Sequence, residues 1–398
     1  MKTIREIELL LRNDIYQKFI SLKEINGKVI IILKFEKESI SEVLDYIRDF
    51  LLLDNEIHFI ENIFCFNYTF NSKLNFKNCH FNQGISMHQC NFNALVEFNN
   101  SSFKIKSNFN KSNFDEIIRF HNCKFYTPIT FENTTFNSLV DFYLSHFLEI
   151  QIFNLTDFLN ITIFSNVTFH KQVQFIYNKI DSKTFISFEN TIFKQSLDIS
   201  RSNFWCSLQV WGIEVNIEPD EFWLYETDNI EKNTSKQTNV SLKRIRESYR
   251  RIKQEFRKSN NHIDSLKFQE YEINIYQKEL KLEKNNIEDR IILWFNKNSN
   301  SFGRSWSKGL IFTLIVNTIF YLTFLFIISN QLSFELTSTG IGNFIKYFLQ
   351  FLNVTIWKYE PYGINNYTWA YIILFIGRIF IGYGYYQTIQ AFRKFSKN

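Results

Sequence analysis

The sequence contains little proline, methionine and alanine, and it has no strong excess of one charge. Its 398 residues include 3 prolines, 2 methionines and three alanines, and 45 lysine and arginine residues against 40 acidic residues leave a formal net charge of +5. So small a charge over this length excludes a globally basic nucleic-acid-binding protein. A charged fraction of 21% beside 45% hydrophobic residues excludes a wholly disordered chain. The length allows two or three domains of roughly 100 to 200 residues each.

The motifs of common enzyme sites are also missing. The chain has no His-Glu-x-x-His or Cys-x-x-Cys metal motif, no Gly-x-Ser-x-Gly and no phosphate-binding loop. These absences argue against catalysis by the familiar hydrolytic, redox or phosphoryl-transfer sites. We therefore expect a protein without enzymatic activity and without a cofactor.

Phenylalanine is abundant, with 46 copies, and many of them are regularly spaced. From Phe76 to Phe175 a phenylalanine, or once Met87, recurs at alternating steps of 5 and 6 residues. Codon drift in an AT-rich genome could raise the number of phenylalanines, but it cannot set their phase. The aligned segments give an 11-residue unit, [ILV]-x-F-x-N-[SCT]-x-F-x-x-x, of which Ile129–Phe136 is a clear copy. Thirteen units run from Ile63 to Ser207.

The 11-residue unit favours short strands over a helix. On a helix the two phenylalanines of a unit would point about 140° apart, so no single apolar stripe would form. In an extended chain, residues two apart share a face, so positions 1 and 3 point inward together, as do positions 6 and 8. The asparagine at position 5 suits a turn. Two units would complete a four-sided coil, and thirteen units predict a β-solenoid of about six and a half coils, roughly 30 Å long, filled by columns of phenylalanine.

The alternating spacing, with a small residue two positions before the second phenylalanine, resembles the Phe-type variant of bacterial pentapeptide repeats. Over residues 63–212 this resemblance implies a right-handed quadrilateral β-helix that serves as a binding or scaffolding surface. Soluble members that protect topoisomerases resemble DNA by presenting an acidic rod. Here the same segment has 12 basic against 10 acidic residues, so we expect neither DNA mimicry nor a nucleic-acid partner. We expect an unidentified protein partner on the solenoid surface.

The repeat also accounts for the cysteines and histidines. Cysteines at the small position 6, or in place of the first phenylalanine, are expected to be packed thiols rather than metal ligands or disulfides. The histidines occupy outward positions, and because neighbouring units lie on different walls we expect them not to converge on a metal site. The residues concerned are Cys65, Cys79, Cys90, Cys123, His80, His88, His121, His146 and His170.

The regions on either side of the repeat have different patterns. Residues 1–62 read as an α/β capping region, with helices at Ile4–Ile20 and Ile40–Leu53 and a strand at Lys28–Phe35 after the Asn26-Gly27 turn. Charged residues interrupt any apolar run at its start, so we expect no secretory leader. Its expected role is to cover the open edge of the first coil. Residues 213–237 read as an irregular linker.

Residues 238–300 are predicted to form a basic helical neck. One helix is expected at Val240–Lys258, where apolar residues form a single stripe, and a second at Ile263–Lys284. Two interpretations of the remaining basic face stay open: it contacts anionic lipid headgroups, or it is a solvated helix face. The candidate lipid-contacting residues are Lys243, Arg244, Arg246, Arg250, Arg251, Lys253, Arg257 and Lys258.

Residues 305–398 are predicted to form a two-span transmembrane region. Gly309–Ser329 is free of charge and long enough to cross about 30 Å of hydrocarbon. Tyr367–Ile389 forms a second apolar stretch, interrupted by Arg378. Lysine and arginine residues precede the first stretch and follow the second, so we expect both termini in the cytoplasm. The resemblance to bacterial pentapeptide repeats implies that the membrane is a bacterial inner membrane.

The segment between the two spans has an amphipathic part, Ile341–Trp357, which could lie on the membrane or dip into it. The order of helix, apolar half-helix, polar stretch and helix is similar to two-span ion channels, but the Thr-Val-Gly-Tyr-Gly filter of potassium channels is missing. A pore and a plain anchor both stay open. A homo-oligomer is expected, because two spans cannot enclose a channel. The candidate pore-loop residues are Trp357, Lys358, Glu360 and Gly363.

Arg378 is the candidate functional residue inside the membrane. A charge near the middle of a span costs about 2.5 to 3.5 kcal/mol, so we expect Arg378 to face a partner, water or the interior of an oligomer. Snorkelling, or a shifted span, is the simpler alternative. The neighbouring Gly377, Gly382 and Gly384 should permit close helix approach.

Together these features predict a membrane-anchored pentapeptide-repeat scaffold or binding protein without catalytic activity, with membrane lipids and a protein as partners. The alternative is an oligomeric, ion-channel-like or membrane-permeabilising effector of stress or phage defence, gated through the repeat domain.

Overall fold

The structure is a computed structural model that describes residues 20–25, 28–33, 57–59, 62–202, 206–216, 223–226, 229–232, 235–282, 286–332, 337–356, 358–365 and 367–393, with the side chains of 20–33, 223–241 and 282 left out. The predicted helix at Ile40–Leu53, most of the one at Ile4–Ile20, and Trp357 lie outside these residues. The chain divides into two compact units, residues 1–260 with 274–279, and residues 261–273 with 280–398.

The first unit is built on a β-solenoid of about seven turns. Each regular turn contributes four short strands, and equivalent strands of successive turns pair in parallel 22 residues apart, as Phe81, Phe103 and Phe125 do. Two 11-residue units therefore make one turn, which confirms the predicted solenoid. Strand order alone does not define handedness or cross-section, so the right-handed and quadrilateral form stays a prediction.

The strands form four stacks. The first contains Ile20–Ile25, Lys28–Leu33, Ile57–Phe59, Cys79–Phe81, Ser102–Phe103, Lys124–Phe125, His146–Phe147, Thr168–Phe169, Ile192–Phe193 and Glu214–Val215. The second, made of two sheets, contains Ile63–Phe66, Ile85–His88, Ser107–Asn108 and Ile129–Thr130, then Gln151–Asn154, Val173–Ile176 and Leu197–Arg201. The third contains Thr69–Phe70, Asn91–Phe92, Asn113–Phe114, Thr135–Phe136 and Asp157–Phe158. The fourth contains Leu74–Asn75, Val96–Glu97, Ile118–Arg119, Val140–Asp141, Thr162–Ile163, Phe185–Ser187 and Ser207–Gln209.

A β-hairpin extends the first stack beyond the repeats. Lys28–Leu33 pairs in parallel with Ile57–Phe59 and antiparallel with Ile20–Ile25. The strand from Lys28 agrees with the sequence prediction, whereas the strand Ile20–Ile25 was missed. Asn-Gly between two apolar runs is a strong hairpin signal, and it could have located this second strand.

Phenylalanine rings fill the solenoid as four columns, as the phase predicts. In the column that includes Phe76, Phe98, Phe120 and Phe142, ring centroids are 4.8–5.0 Å apart and the planes lie within 6° of parallel. Burying each such ring contributes roughly 1.5 to 3 kcal/mol before the loss of chain entropy. The columns are Phe59, Phe81, Phe103, Phe125, Phe147, Phe169 and Phe193; Phe70, Phe92, Phe114, Phe136 and Phe158; Phe76, Phe98, Phe120, Phe142, Phe164 and Phe188; and Phe109, Phe131, Phe153 and Phe175.

The asparagine at position 5 is explained by the backbone. This position adopts a positive φ of 50–60° in twelve successive units, for example at Asn122 and Asn133. Asparagine tolerates this left-handed conformation better than most residues, so it is the preferred residue at the corner. Leu144 and Leu155 adopt the same conformation with less suitable side chains.

The small residue at position 6 links successive turns by hydrogen bonds. Ser101 Oγ accepts from the backbone N–H of Cys79 at 2.9 Å and donates to the carbonyl of Phe76 at 2.7 Å. Ser112 repeats this arrangement one unit later. Position 6 was predicted to be small because of crowding beside the rings. The structure adds a second reason, since its hydroxyl satisfies buried backbone groups of the preceding turn.

The rest of the described chain is mostly helical. Trp223–Glu226 and Asn229–Lys232 form an antiparallel hairpin in the stretch predicted to be an irregular linker. The helix Ile287–Asn300 was also missed within the predicted neck. Short 3-10 turns occupy Ser329–Gln331 and Pro361–Gly363. The helices are α1 (Ser235–Lys258), α2 (His262–Leu282), α3 (Ile287–Asn300), α4 (Trp306–Ile327), α5 (Ser338–Leu352) and α6 (Thr368–Phe392).

Candidate functional site

Helix α1 covers the last strand of the second stack. Its apolar stripe is buried, and Ser248 Oγ accepts the backbone N–H of Ile199 at 2.9 Å. The hydroxyl of Tyr249 donates to the carbonyl of Asn216 at 3.0 Å. An edge strand that would otherwise present unpaired backbone groups is thereby closed. The stripe consists of Leu242, Ile245, Tyr249, Ile252 and Phe256.

Arg251 completes this cap by contacts that the sequence did not indicate. Its guanidinium donates to the carbonyls of Ile199 at 3.1 Å, Ser200 at 3.2 Å and Ser202 at 2.7 Å. These acceptors lie about fifty positions away in the chain, so the helix pattern gave no sign of them. The structure gives Arg251 a capping contact, and lipid contact by Arg251 stays a prediction.

Other basic residues of α1 also have partners within the first unit. Arg246 pairs with the buried carboxylate of Glu279 at 3.1 Å and lies over the ring of Tyr276. Arg250 and Lys258 pair with acidic residues one turn back on α1. Lipid contact by the exposed Lys243, Arg250, Arg257 and Lys258, and by the half-buried Arg244 and Lys253, stays a prediction.

Some outward histidines meet in pairs on one wall of the solenoid. The ring centroids of His58 and His80 are 4.5 Å apart, and those of His146 and His170 are 6.0 Å apart. Residues 22 to 24 positions apart share a wall, whereas residues in adjacent 11-residue units lie on different walls. Among the described residues, no group of three or more histidine, cysteine or acidic side chains could hold a metal ion.

All five cysteines are buried, as expected for packed interior positions. The thiol of Cys123 donates to the carbonyl of Phe98 at 2.9 Å. Burial raises the pKa of this thiol far above its ordinary value. A thiol in such surroundings is a poor nucleophile, which fits a structural role.

A charged cluster lies on the fourth stack. The carboxylate of Glu97 is almost fully buried and pairs with Lys73 at 2.8 Å, Lys77 at 3.1 Å and Arg119 at 3.5 Å. Burial alone would raise the pKa of Glu97, but the hydrogen bonds and charges of Lys73 and Lys77 outweigh it and hold the pKa below its usual value. Glu97 is therefore ionised at neutral pH and organises its basic neighbours on the surface.

In the second unit, α4 and α6 form a closely packed antiparallel hairpin. Both are long and apolar enough to cross a membrane. A Cβ added at Gly377 would lie 2.9 Å from Phe320 Cβ, and one added at Gly384 would lie 3.1 Å from Thr313 Cβ, so both glycines permit close approach as predicted. Gly382 faces open space, so no helix approaches it within the described part of the chain.

Helix α5 runs along this hairpin rather than across its end. It begins where Thr337 Oγ1 accepts the N–H of Gly340 at 3.2 Å. The hydroxyl of Tyr321 donates to the carbonyl of Phe344 at 3.1 Å, and the hydroxyl of Tyr385 donates to the carbonyl of Leu352 at 2.9 Å. Tyr385 lies in the last third of α6, towards the end of the hairpin where α4 begins and α6 ends. The C-terminal end of α5 therefore reaches far along the hairpin in that direction.

Lys358, Glu360 and Gly363 of the candidate pore loop are exposed in the return segment between α5 and α6, which the structure describes over 353–356 and 358–365. Lys358 is 83% exposed and pairs with Glu360 at 3.2 Å, and Gly363 has a φ of +77° in a tight turn. Between these charges Tyr359 is buried, and its hydroxyl donates to the carbonyl of Tyr347 at 3.1 Å. Tyr359 was not among the candidate site residues, although its position between two charged residues was a usable signal.

Arg378 lies beside this return segment. The centre of its guanidinium is 6.0 Å from the ring centroid of Tyr359. Its Nε and Nη2 atoms are buried and have no hydrogen-bond partner within the described part of the chain. These two nitrogens form the edge with which arginine binds carboxylates and phosphates in a bidentate manner. The structure therefore places Arg378 beside Tyr359.

Comparison with known proteins supports the interpretation of the repeat. Residues 109–150 match the family model described as pentapeptide repeats (9 copies). The match lies in the regular middle part of the solenoid. No curated protein and no solved structure matches the chain.

Proposed function

We propose that this pentapeptide-repeat protein is a non-catalytic scaffold that the α4–α6 hairpin holds at a bacterial inner membrane. The observation that carries the proposal is the combination, in one chain, of a closed β-solenoid and two long helices that present apolar side chains outwards. Pentapeptide-repeat solenoids are generally non-catalytic. A rod with a rigid aromatic core suits a binding surface, since its outward positions vary without disturbing the columns.

The outward faces of α4 and α6 support membrane insertion. Ile315 on α4 and Phe375 and Ile379 on α6 are each more than half exposed. Soluble proteins rarely leave so continuous an apolar surface in water, and lipid would cover it. Arg304, Lys308 and Arg393 lie near the chain-terminal ends of the two helices, which supports a cytoplasmic location for both termini.

Membrane anchoring is tested by alkaline carbonate extraction of cell membranes. The full chain should stay in the pellet, and a chain lacking residues 305–398 should move to the supernatant. The shortened chain should still be crosslinked to the partner that the full chain captures in cells, because the solenoid would carry the binding surface. A shortened chain that is folded by circular dichroism but crosslinks to nothing would contradict the scaffold proposal.

Ion conduction by an oligomer is a second candidate, and the position of α5 favours it. If the hairpin spans a membrane, residues 353–356 and 358–365, which form no α-helix, lie partly at membrane depth. Irregular backbone is tolerated there only when it is buried in protein or lines a water-filled cavity. The unpartnered edge of Arg378 lies beside this segment. An oligomer that encloses these segments would offer a polar path.

The conduction proposal is tested by ion flux into liposomes that contain the purified protein. Flux should be present in the natural protein and altered in Arg378→Leu, whereas the control Ile379→Leu, on the adjacent outward face, should leave it unchanged. Crosslinking in membranes provides an independent test. A monomer, or the absence of flux in every lipid composition, would overturn conduction and leave the scaffold proposal standing.

A further inference from the structure

Helix α3 packs against the hairpin well inside its ends. The ring of Phe295 lies 5.9 Å from that of Phe380 and 6.4 Å from that of Phe312, centroid to centroid. Phe312 is about 9 Å along α4 from its first residue, and Phe380 is about 18 Å along α6 from its last residue, at 1.5 Å per residue. Helix α3 therefore lies beside the apolar portion of the hairpin.

Polar contacts fix this position. The hydroxyl of Tyr383 donates to Asn296 Oδ1 at 2.8 Å, and Gln387 Nε2 donates to the same oxygen at 3.1 Å. Asn300 at the end of α3 is buried and also hydrogen-bonds the side chain of Gln387. Buried amide pairs of this kind specify one orientation, because a displaced helix would leave them unsatisfied.

The outer face of α3 is apolar and open. Ile287, Ile291, Ile292 and Trp294 are each more than half exposed. Ile292 also lines, together with Ile379, a groove between α3 and α6. The groove has a volume of about 250 Å³, below the range of about 300 to 1,000 Å³ that is typical of sites for whole small molecules. It is lined by Ile292, Phe295, Asn296, Ile379, Phe380 and Tyr383.

The charges of α3 favour a lipid over a protein as the occupant. Arg290 and Lys297 are exposed and, at 100° per residue, lie next to Trp294 on the helix circumference. Tryptophan beside cationic residues, with an apolar face next to them, is the pattern of helices that lie among lipid headgroups and upper acyl chains. The groove is narrow and mostly apolar, which suits one hydrocarbon chain.

We propose that α3 is embedded in the cytoplasmic leaflet and that its groove with α6 binds one acyl chain of a phospholipid. This inference rests on the proposed membrane anchoring. It places a lipid contact on α3, a helix that the sequence did not predict, while lipid contact by the basic face of α1 stays one of two open interpretations.

Spin labels on the full chain test the position of α3. Labels are placed at Ile291→Cys and Trp294→Cys in vesicles of phosphatidylcholine and phosphatidylglycerol; all five native cysteines are buried. Ile315→Cys on α4 is the lipid reference, and Glu116→Cys on the solenoid is the water reference. Both α3 labels should be accessible to oxygen and shielded from a nickel chelate, as at Ile315.

Each other outcome overturns the inference. Labels on α3 that behave like Glu116 would place the helix in water. Labels shielded from both reagents, with broadening from a neighbouring label, would mean that a second copy covers the face. If the Ile315 label itself is open to the nickel chelate, the proposed membrane anchoring fails, so the two failures are distinguishable.

Acyl-chain binding is tested with a phosphatidylglycerol that carries a photoreactive group in its acyl chain. Crosslinks should concentrate in residues 287–300 and 379–383. Ile292→Trp should fill the groove and lower labelling there several-fold, while Ile291→Trp, next to it on the outer face, should retain it. Equal labelling of the two variants would contradict the groove proposal.

Discussion

The guanidinium of Arg251 donates to the carbonyl of Ser202 at 2.7 Å, joining helix α1 to the final turn of the solenoid. Two further carbonyls of the same turn accept from this side chain. The cap therefore satisfies several backbone groups with one charged residue. Hydrogen bonds to charged groups contribute about 1.5 to 3 kcal/mol each, and they are not additive.

Arg251→Ala should lower the free energy of unfolding of the solenoid by about 2 to 3 kcal/mol, because it leaves buried carbonyls without donors. The measurement is urea unfolding followed by circular dichroism at wavelengths that report strand content. Arg257→Ala, at an exposed position of the same helix, is the control and should cost about 0 to 1 kcal/mol. Equal losses would show that Arg251 is no more important than a surface charge.

Ser101→Ala should destabilise the protein by about 1 to 3 kcal/mol, since the N–H of Cys79 and the carbonyl of Phe76 both lose their partner. Ser101→Cys should cost less, because cysteine occupies the same position in other units and retains a weak donor. The urea midpoints of the two variants give the comparison. If alanine and cysteine are equivalent, the small size of position 6 matters and its hydrogen bonds do not.

Leu155→Asn should stabilise the solenoid by about 0.5 to 1 kcal/mol. Leu155 has a φ of 50°, where asparagine is better tolerated than leucine. Ile105→Asn is the matched control, because Ile105 is similarly exposed but is not among the residues with positive φ. Thermal unfolding should show a higher midpoint for the first variant alone. A higher unfolding midpoint in both variants would indicate that any polar residue on this surface stabilises the solenoid, whatever its φ.

Glu97 should make stability depend on pH on the acid side. Lys73 and Lys77 hold the pKa of Glu97 below its usual value despite burial, which acts to raise it. A depressed folded-state pKa contributes stability above the unfolded value of about 4.3, and this contribution is lost as the pH falls through the folded-state value. The natural protein should therefore exceed Glu97→Gln in stability at pH 7, and the difference should shrink below about pH 4.

The pH experiment has a simple control in Glu116→Gln, which changes an exposed carboxylate of the same solenoid. Urea unfolding at several pH values should give this variant a curve parallel to that of the natural protein. A constant difference between Glu97→Gln and the natural protein across the acid range would mean that the charge of Glu97 makes no contribution.

The phase of the phenylalanines was enough to predict the solenoid, because inward residues must recur with the period of the coil. The same reasoning located Asn133 at a corner and Cys123 in the interior. It did not reveal that Ser101 bridges two turns, since that requires the spatial register between turns. Nor could the spacing predict that Gly384 packs against α4 whereas Gly382 does not, because this depends on which side of α6 faces α4.

The functional residues were predictable to a smaller extent. Arg378 stood out because a charge in an apolar stretch is costly, but its neighbour Tyr359 was hidden in a polar loop. Arg251 looked like one of several basic side chains until its acceptors, about fifty residues earlier, were placed beside it. Long-range partners of this kind follow from the fold and not from local pattern.

The central claim is that the hairpin holds the solenoid on the cytoplasmic face of a membrane. Labelling of Glu116→Cys with a membrane-impermeant maleimide tests it most directly, with intact cells compared with inverted membrane vesicles. The account predicts labelling in the inverted vesicles and none in intact cells, with the labelled protein in the membrane pellet. Labelling in intact cells, or labelled protein in the soluble fraction alone, would contradict it.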